Sequence, residues 1–322
     1  MHSRLIQRFG LAYPVLSAPM ANHSGGGLAA AVSEAGGLGL FGTAGARPEW
    51  LHEQIALARS KTSKPFGVGF LTQRLPQEAA LFEVALEARL PVLAFSFADP
   101  APWVARARDA GIATVCQVQD IEGARSAAQA GADVIVAQGT EAGGHTGMST
   151  LLPLLEAVLD EFPDQIVIAA GGIATGRALA AVMAAGADGA WMGTRFLATT
   201  EATEVAPDHR QMILESTAQD TVFTPVYDIV NGSKWPGDVA ARVRRNAFAA
   251  EWTGREDELV ARLEELRAQN LAGRETAPAD NRIYYMGTGV GAITSVRPVA
   301  EVLREICNEA GRLLVRAAGV ST

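Results

Sequence analysis

Between Tyr13 and Met192 the chain repeats one unit eight times, a short apolar run followed by an alanine-rich amphipathic segment. Such runs read as strands buried on both faces, and the intervening segments carry the spacing of helices that cover a sheet. The candidate strands are Val15–Ala18, Leu38–Phe41, Phe66–Phe70, Val92–Phe95, Ala113–Val118, Val134–Ala137, Ile166–Ala170 and Gly189–Met192. The candidate helices are Leu28–Ala35, Glu49–Ser60, Glu78–Ala88, Ala101–Ala110, Ile121–Ala130, Leu151–Asp160, Arg177–Ala185 and Ala206–Ala218. Ala-Gly-Ala-Asp and Ala-Gly-Gly-Leu stops close several of them, because a left-handed C-terminal glycine turns the chain back toward the next strand. Eight such units predict an α/β fold, a (β/α)8 TIM barrel over residues 1–220, with its chemistry at the C-terminal ends of the strands.

After about residue 220 the alternation stops. Thr221–Asn281 reads as irregular turns plus one charged helix, Arg255–Gln269, with Trp235, Pro236 and Trp252 among them. We expect a small lid or substrate subdomain at residues 221–281. Residues 282–322 then return to the barrel through the loop Tyr284-Tyr-Met-Gly-Thr-Gly-Val-Gly-Ala292 and a closing helix near Val299–Ala317. There is no internal repeat beyond the βα unit.

Size and charge narrow the partners. A chain of 322 residues that is 48% hydrophobic can bury one large core. A net charge of −8 without a basic run argues against nucleic acid and against an anionic membrane surface. Met1–Gly10 carries Arg4 and Arg8 and no apolar signal core, and no stretch is long enough to span a bilayer. The two cysteines, Cys116 and Cys307, make no disulfide framework and have no metal-ligand spacing to another Cys or His, so a cytoplasmic, metal-free protein is expected. No sequence feature specifies an oligomeric state.

The barrel rule maps the candidate site onto strand ends. These are Ala18-Pro19-Met20 after the first strand, Gly69 in the third, Gln117 in the fifth and Gln138 through His145 after the sixth. Gly171-Gly172 follow the seventh strand, and Met192-Gly193-Thr194 end the eighth. The loop Gln138-Gly-Thr-Glu-Ala-Gly-Gly-His-Thr-Gly147 lets backbone N–H groups approach a flat or anionic ligand beside His145, the one side chain there that titrates near neutral pH. Glu141 is read as an acceptor for loop N–H groups. The turns after strands seven and eight read as a phosphate site, where bare N–H groups and a helix N-terminus meet the dianion. Thr194 would add a hydroxyl and Arg195 a charge. His23 also follows a strand, whereas His2, His52 and His209 read as surface residues. Tyr227, Trp235, Tyr284 and Tyr285 could wall an apolar pocket. No Gly-x-Ser-x-Gly elbow appears, and no Gly-x-Gly-x-x-Gly follows the first strand, which argues against the common hydrolase and against a Rossmann-held dinucleotide.

The 138–147 loop resembles the signature of the nitronate monooxygenase family, formerly 2-nitropropane dioxygenases, which are FMN-dependent barrels. The resemblance runs from Pro14 to the Gly287-Thr-Gly-Val-Gly291 loop and is weakest over Thr221–Asn281. It implies that the 168–176 and 187–196 stretches hold the FMN phosphate, that the Met20 backbone and Gly143 lie along the isoalloxazine, and that Gln138 hydrogen-bonds it. Ala18, Pro19, Gln117, Gly144, Gly171, Gly172, Met192, Gly193 and Thr194 complete the expected cofactor set, with His145 as base or binding group. One departure stands out: Pro65-Phe-Gly-Val-Gly-Phe70 carries Gly69 where many relatives have asparagine, so Gln73 or Gln117 would have to replace that amide. The activity implied is oxidation of alkyl nitronates, or of nitroalkanes, with O2 to carbonyl compounds and nitrite. The alternative is an FMN-dependent NAD(P)H reductase of the enoyl-acyl-carrier-protein reductase or NADH:quinone reductase type. A third reading, from another class, is a ligand-binding barrel without redox activity.

Overall fold

The computed structural model describes residues 3–268 and 281–319. Its barrel strands are β1 (Val15–Ser17), β2 (Gly39–Gly42), β3 (Phe66–Leu71), β4 (Val92–Ser96), β5 (Ala113–Val118) and β6 (Val134–Gln138); after β7 (Gly144–Thr146), which leaves the barrel, follow β8 (Ile166–Ala170) and β9 (Ala190–Met192). They pair in parallel in the order β1-β9-β8-β6-β5-β4-β3-β2, and a bridge from Leu16 to Leu38 joins the two ends. The predicted (β/α)8 barrel is therefore the fold.

Strand alternation sorts the side chains into two cores. Leu16, Leu40, Val92, Val115, Val136, Ile168 and Trp191 fill the barrel, while Val15, Val68, Phe70, Leu93, Phe95, Ile135 and Val167 pack outward against the helices. On β3 the inward positions are Gly67, Gly69 and Leu71, of which Leu71 lines the cleft at the strand's end. A Cβ on Gly69 would lie 2.3 Å from Cγ of Pro19, so the Pro19 ring occupies the space an asparagine side chain would need. A short helix that the sequence pattern did not reveal, Arg4–Phe9, closes the N-terminal end with the fully buried Leu5, and Arg4 is held by Asp188 at 2.8 Å.

The eighth covering helix is not the expected Ala206–Ala218. The helix found there, Pro207–Glu215, lies beside the 288–292 turn, whereas Val299–Ala317 packs against Gly176–Ala184 and Gly26–Glu34 and completes the ring. The reason is visible in its stripe: Val299, Val302, Leu303, Ile306 and Ala310 recur on one buried face.

The segment after residue 220 is more ordered than irregular turns. β10 (Thr221–Thr224) and β11 (Ala240–Arg244) form an antiparallel sheet that β7 completes, in the order β10-β11-β7. Val222, Tyr227, Val243, Phe248 and Trp252 give this unit its own core. The single charged helix expected over Arg255–Gln269 is two short ones, Glu256–Ala261 and Leu263–Ala268, and Arg255 and Arg262 both lie over the Trp252 ring. Gln269 and the rest of the expected lid up to residue 280 fall outside the described residues. Among the described residues no helix is long and apolar enough to cross a membrane.

Candidate active site

A cleft of about 1160 Å³, solvent at its mouth included, opens at the C-terminal ends of the barrel strands. Its floor is Ala18-Pro19-Met20 after β1, Gln117 of β5 and Gln138 of β6. Its walls are Gly143, Gly144 and His145 on one side, and Gly171, Gly172, Gly193 and Thr194 on the other. Met192 is the expected residue that does not reach it. Its side chain is 1% exposed in the outer core, and only its carbonyl serves the site, accepting the Ala18 N–H at 2.8 Å.

The position of His145 is set from outside the barrel. It lies on β7 opposite Ala241 of β11, so the small sheet holds the loop that carries it. Its Nε2 donates to both carboxylate oxygens of Asp228, at 2.9 and 3.0 Å, and Nε1 of Trp235 donates to the same Oδ1 at 3.0 Å. The Trp235 ring stacks on the imidazole, with centroids 3.6 Å apart and planes 16° from parallel. A carboxylate is an acceptor only, so it fixes the proton on Nε2 and leaves Nδ1 as the nitrogen with a lone pair. Nδ1 has no partner among the described residues. Asp228 was not apparent in the sequence: it is 83 residues from His145, and no motif surrounds it.

Gln138 is oriented by a relay. Gln119 Nε2 donates to its Oε1 at 2.9 Å, and its own Nε2 donates to the His145 carbonyl at 3.1 Å. Glu141 accepts the Leu151 N–H at 3.1 Å and so caps the following helix, the structural role expected of it. Gln117 lines the cleft; Gln73 does not, and its Oε1 is buried without a partner.

At the opposite end the N–H groups of Gly172, Gly193 and Thr194 have no acceptor among the described residues. Gly172 adopts a left-handed φ of 68°, which only glycine takes without strain. Thr194 accepts the Gly287 N–H at 3.0 Å through its hydroxyl. One expectation for this end is corrected. Arg195 turns away into the protein, donating to the carbonyls of Ala198 and Ser295, and burial lowers its guanidinium to about 10. The helix that begins in this turn is Thr194–Leu197, while the Gly176 N–H at the start of the Gly176–Ala184 helix donates to Glu309 at 3.0 Å. Other glycines of the signature serve loop packing: a Cβ on Gly143 would sit 2.5 Å from the backbone nitrogen of Gly287.

His209 is a further correction. It is 3% exposed rather than on the surface, with Nε2 donating to the Tyr285 carbonyl at 2.9 Å. Burial, and then the His23 ring 5.0 Å away, lower it to about 4. His23 and Tyr285 line the cleft. Tyr227 and Tyr284 do not; their hydroxyls donate to Asn246 and Asp208. His52 is exposed, and His2 lies outside the described residues. Both cysteines are buried, which pushes the Cys307 thiol up to about 12 and that of Cys116 higher.

Three comparisons bear on this site. The profile of the nitronate monooxygenase family matches residues 2–309. A nitronate monooxygenase of Neurospora crassa is 31% identical over 92% of this chain and 88% of its own. A (3aS,4S,5R,7aS)-5-hydroxy-7a-methyl-1-oxo-octahydro-1H-indene-4-carboxyl-CoA dehydrogenase of Rhodococcus jostii is 34% identical over 71% of this chain and 64% of its own. Among solved structures, FabK from Thermotoga maritima is similar with a TM-score of 0.88 and 33% identity, over 99% of both chains.

Proposed function

From the premise that this chain belongs to the nitronate monooxygenase family, a family of oxidoreductases, we propose that it uses FMN and O2 to convert alkyl nitronates to carbonyl compounds and nitrite. The cleft suits the cofactor. The free N–H groups of Gly172, Gly193 and Thr194 suit phosphate oxygens, the backbone at Met20 and the bare edge at Gly144 suit a flat ring, and the Gln138 amide, fixed by the His145 carbonyl, lines the same cleft. Bound there, FMN would supply the electron acceptor and the centre at which O2 reacts.

The observation that carries the reading is the His145 imidazole in the cleft wall, paired through Nε2 with Asp228. With Nε2 held by Asp228, Nδ1 takes the proton α to the nitro group when the substrate is a neutral nitroalkane. When the substrate arrives as a nitronate, no proton need be removed, and a ring protonated at Nδ1 donates to its anionic oxygens. Trp235 fixes the ring plane and keeps water from one face of the imidazole. The test is oxygen uptake with a primary nitronate, without nicotinamide cofactor. Release of nitrite in step with oxygen supports the reading; a flavin-loaded protein inert to every nitronate overturns it.

The full-length likeness to FabK supports a second reading, an FMN-dependent NAD(P)H reductase of the enoyl-acyl-carrier-protein or quinone type working in the same cleft. Anaerobic bleaching of the bound flavin by NADH or NADPH, with no oxygen uptake on nitronates, would select it.

A further inference from the structure

Beside the active-site cleft lies a second cavity of about 1260 Å³, and the two share Phe97 and Gln117 as lining. We propose that this cavity is the subsite for the substituent borne by the substrate, an uncharged alkyl or aryl tail, and that Phe97 is the partition limiting what enters it. The proposal rests on the oxidation of nitronates assigned above, because it places the reacting end of the substrate at His145.

The geometry at the partition is unusual. Phe97 and Ala98, directly after β4, both adopt left-handed φ values, 65° and 52°, although neither is glycine. Backbone of this kind persists where the surroundings hold it, and it clusters at ligand-contacting turns. Here it places the Phe97 ring edge-on against Trp235, with centroids 5.0 Å apart, and Trp235 is the ring stacked on His145. The partition between the cavities and the backing of the imidazole are thus one aromatic column. A substrate held at His145 has Phe97 as its neighbour on the way to the second cavity.

The walls of that cavity define what it takes. Val118, Met148, Pro236 and Val239 give it apolar surface, and Met148 is 63% exposed, a large apolar side chain left without cover. Among the described residues, the charged ones that line it are all acids, Asp99, Asp120, Glu122 and Asp238, with no lysine or arginine. Asp99 and Asp120 accept the Ala101 and Gly123 N–H groups, and Glu122 pairs with Arg125, so three of the four are already committed to the protein. A phosphorylated or carboxylated tail finds no counter-charge there. An apolar, uncharged one finds a wall.

Binding of straight-chain alkanoates from propanoate to octanoate to the holoenzyme, measured by calorimetry, tests this without turnover; the planar anionic carboxylate stands in for the nitronate head. Kd should fall with each methylene, by up to about fourfold. Val239→Trp, which fills the second cavity, should flatten that dependence. Phe97→Gly, which suits the left-handed backbone and removes the partition, should raise the octanoate-to-propanoate affinity ratio by about tenfold. The kcat/KM ratio of hexyl to ethyl nitronate should move in the same directions. A flat or absent chain-length dependence in the unaltered enzyme, or an unchanged slope in Val239→Trp, overturns the subsite. If no nitronate is oxidised and Val239→Trp still flattens the alkanoate series, the subsite stands and the proposed reaction falls.

Discussion

The two ends of the cleft are built by different parts of the molecule and from different chemistry. At the end lined by Gly171-Gly172 and Gly193-Thr194, barrel turns present main-chain N–H groups and one hydroxyl, and Arg195, next in the chain, is turned inward. At the other end a single imidazole projects from β7, and the groups that hold its ring, Asp228 and Trp235, together with the β11 pairing, come from the 221–244 region. The barrel end suits holding a cofactor, and the inserted end suits handling the substrate. An enzyme divided in this way can change its reaction through the inserted segment while its cofactor grip stays the same, in keeping with relatives named for different activities.

The division is tested most strongly by His145→Asn. Turnover of neutral nitroalkanes should fall by about 10²–10⁴-fold, that of nitronates by less, and the flavin content of the purified protein should not change. Equal loss on both substrate classes would show that His145 only binds. Loss of flavin would show that the two ends are not separable.

Next in size is an acid effect at the seam between barrel and insertion. His209 is held neutral down to about pH 4 by burial and by His23, whereas the same ring in the unfolded chain has its ordinary value of 6.5. As pH falls from 6.5 to about 4 the unfolded chain takes up a proton that the folded one does not. Stability is therefore lost through that window, up to about 3 kcal/mol in all. Urea midpoints at pH 7, 5.5 and 4.5 should fall in that order, and His209→Gln, which keeps a donor for the Tyr285 carbonyl, should remove most of the slope. A parallel decline in both proteins would assign the acid sensitivity elsewhere.

Asp228→Ala should lower kcat by about 10–100-fold and alter its pH profile, because the imidazole is then free to place its proton on either nitrogen. Flavin affinity should hold. Together with His145→Asn, this variant asks whether the inserted end works as one unit, in which case the double variant is no worse than His145→Asn alone.

How much of this was readable beforehand follows the same division. The barrel strands came from apolar runs between C-cap glycines, and the strand-end rule led to Gln138, His145, Gly172 and Thr194, because parallel topology ties position in the chain to position in space. The inserted end lacks such a rule. β7 is three residues, Gly-His-Thr, within a glycine-rich loop, and its partner β11 lies almost a hundred positions on, so neither propensity nor spacing joins them. Asp228 becomes visible only once that pairing is made. His209 looked exposed because a histidine on a polar helix usually is; its burial depends on Tyr285 arriving from beyond the insertion. Arg195 follows a phosphate-type turn and yet faces Ser295, a distant carbonyl that spacing cannot foresee.

The smallest effect expected concerns the floor of the barrel end, where Gly69 stands in place of the asparagine that the family resemblance leads one to expect. Its Cβ direction points into the Pro19 ring, so Gly69→Asn should overpack the interior, costing about 1–3 kcal/mol in thermal or urea unfolding and weakening flavin retention. Pro19→Gly removes both carbons in the way, Cγ at 2.3 Å and Cβ at 2.5 Å, so the double variant should recover part of that loss, with a coupling of about 1 kcal/mol. His145 and Asp228 touch neither residue, so the turnover of whatever protein remains flavin-loaded should be unchanged. If the two substitutions add without coupling, the Pro19 ring is not what excludes the asparagine. If flavin-loaded turnover drops with Gly69→Asn, the floor beneath the cofactor and the imidazole beside it are coupled, and the division of labour between the two ends fails.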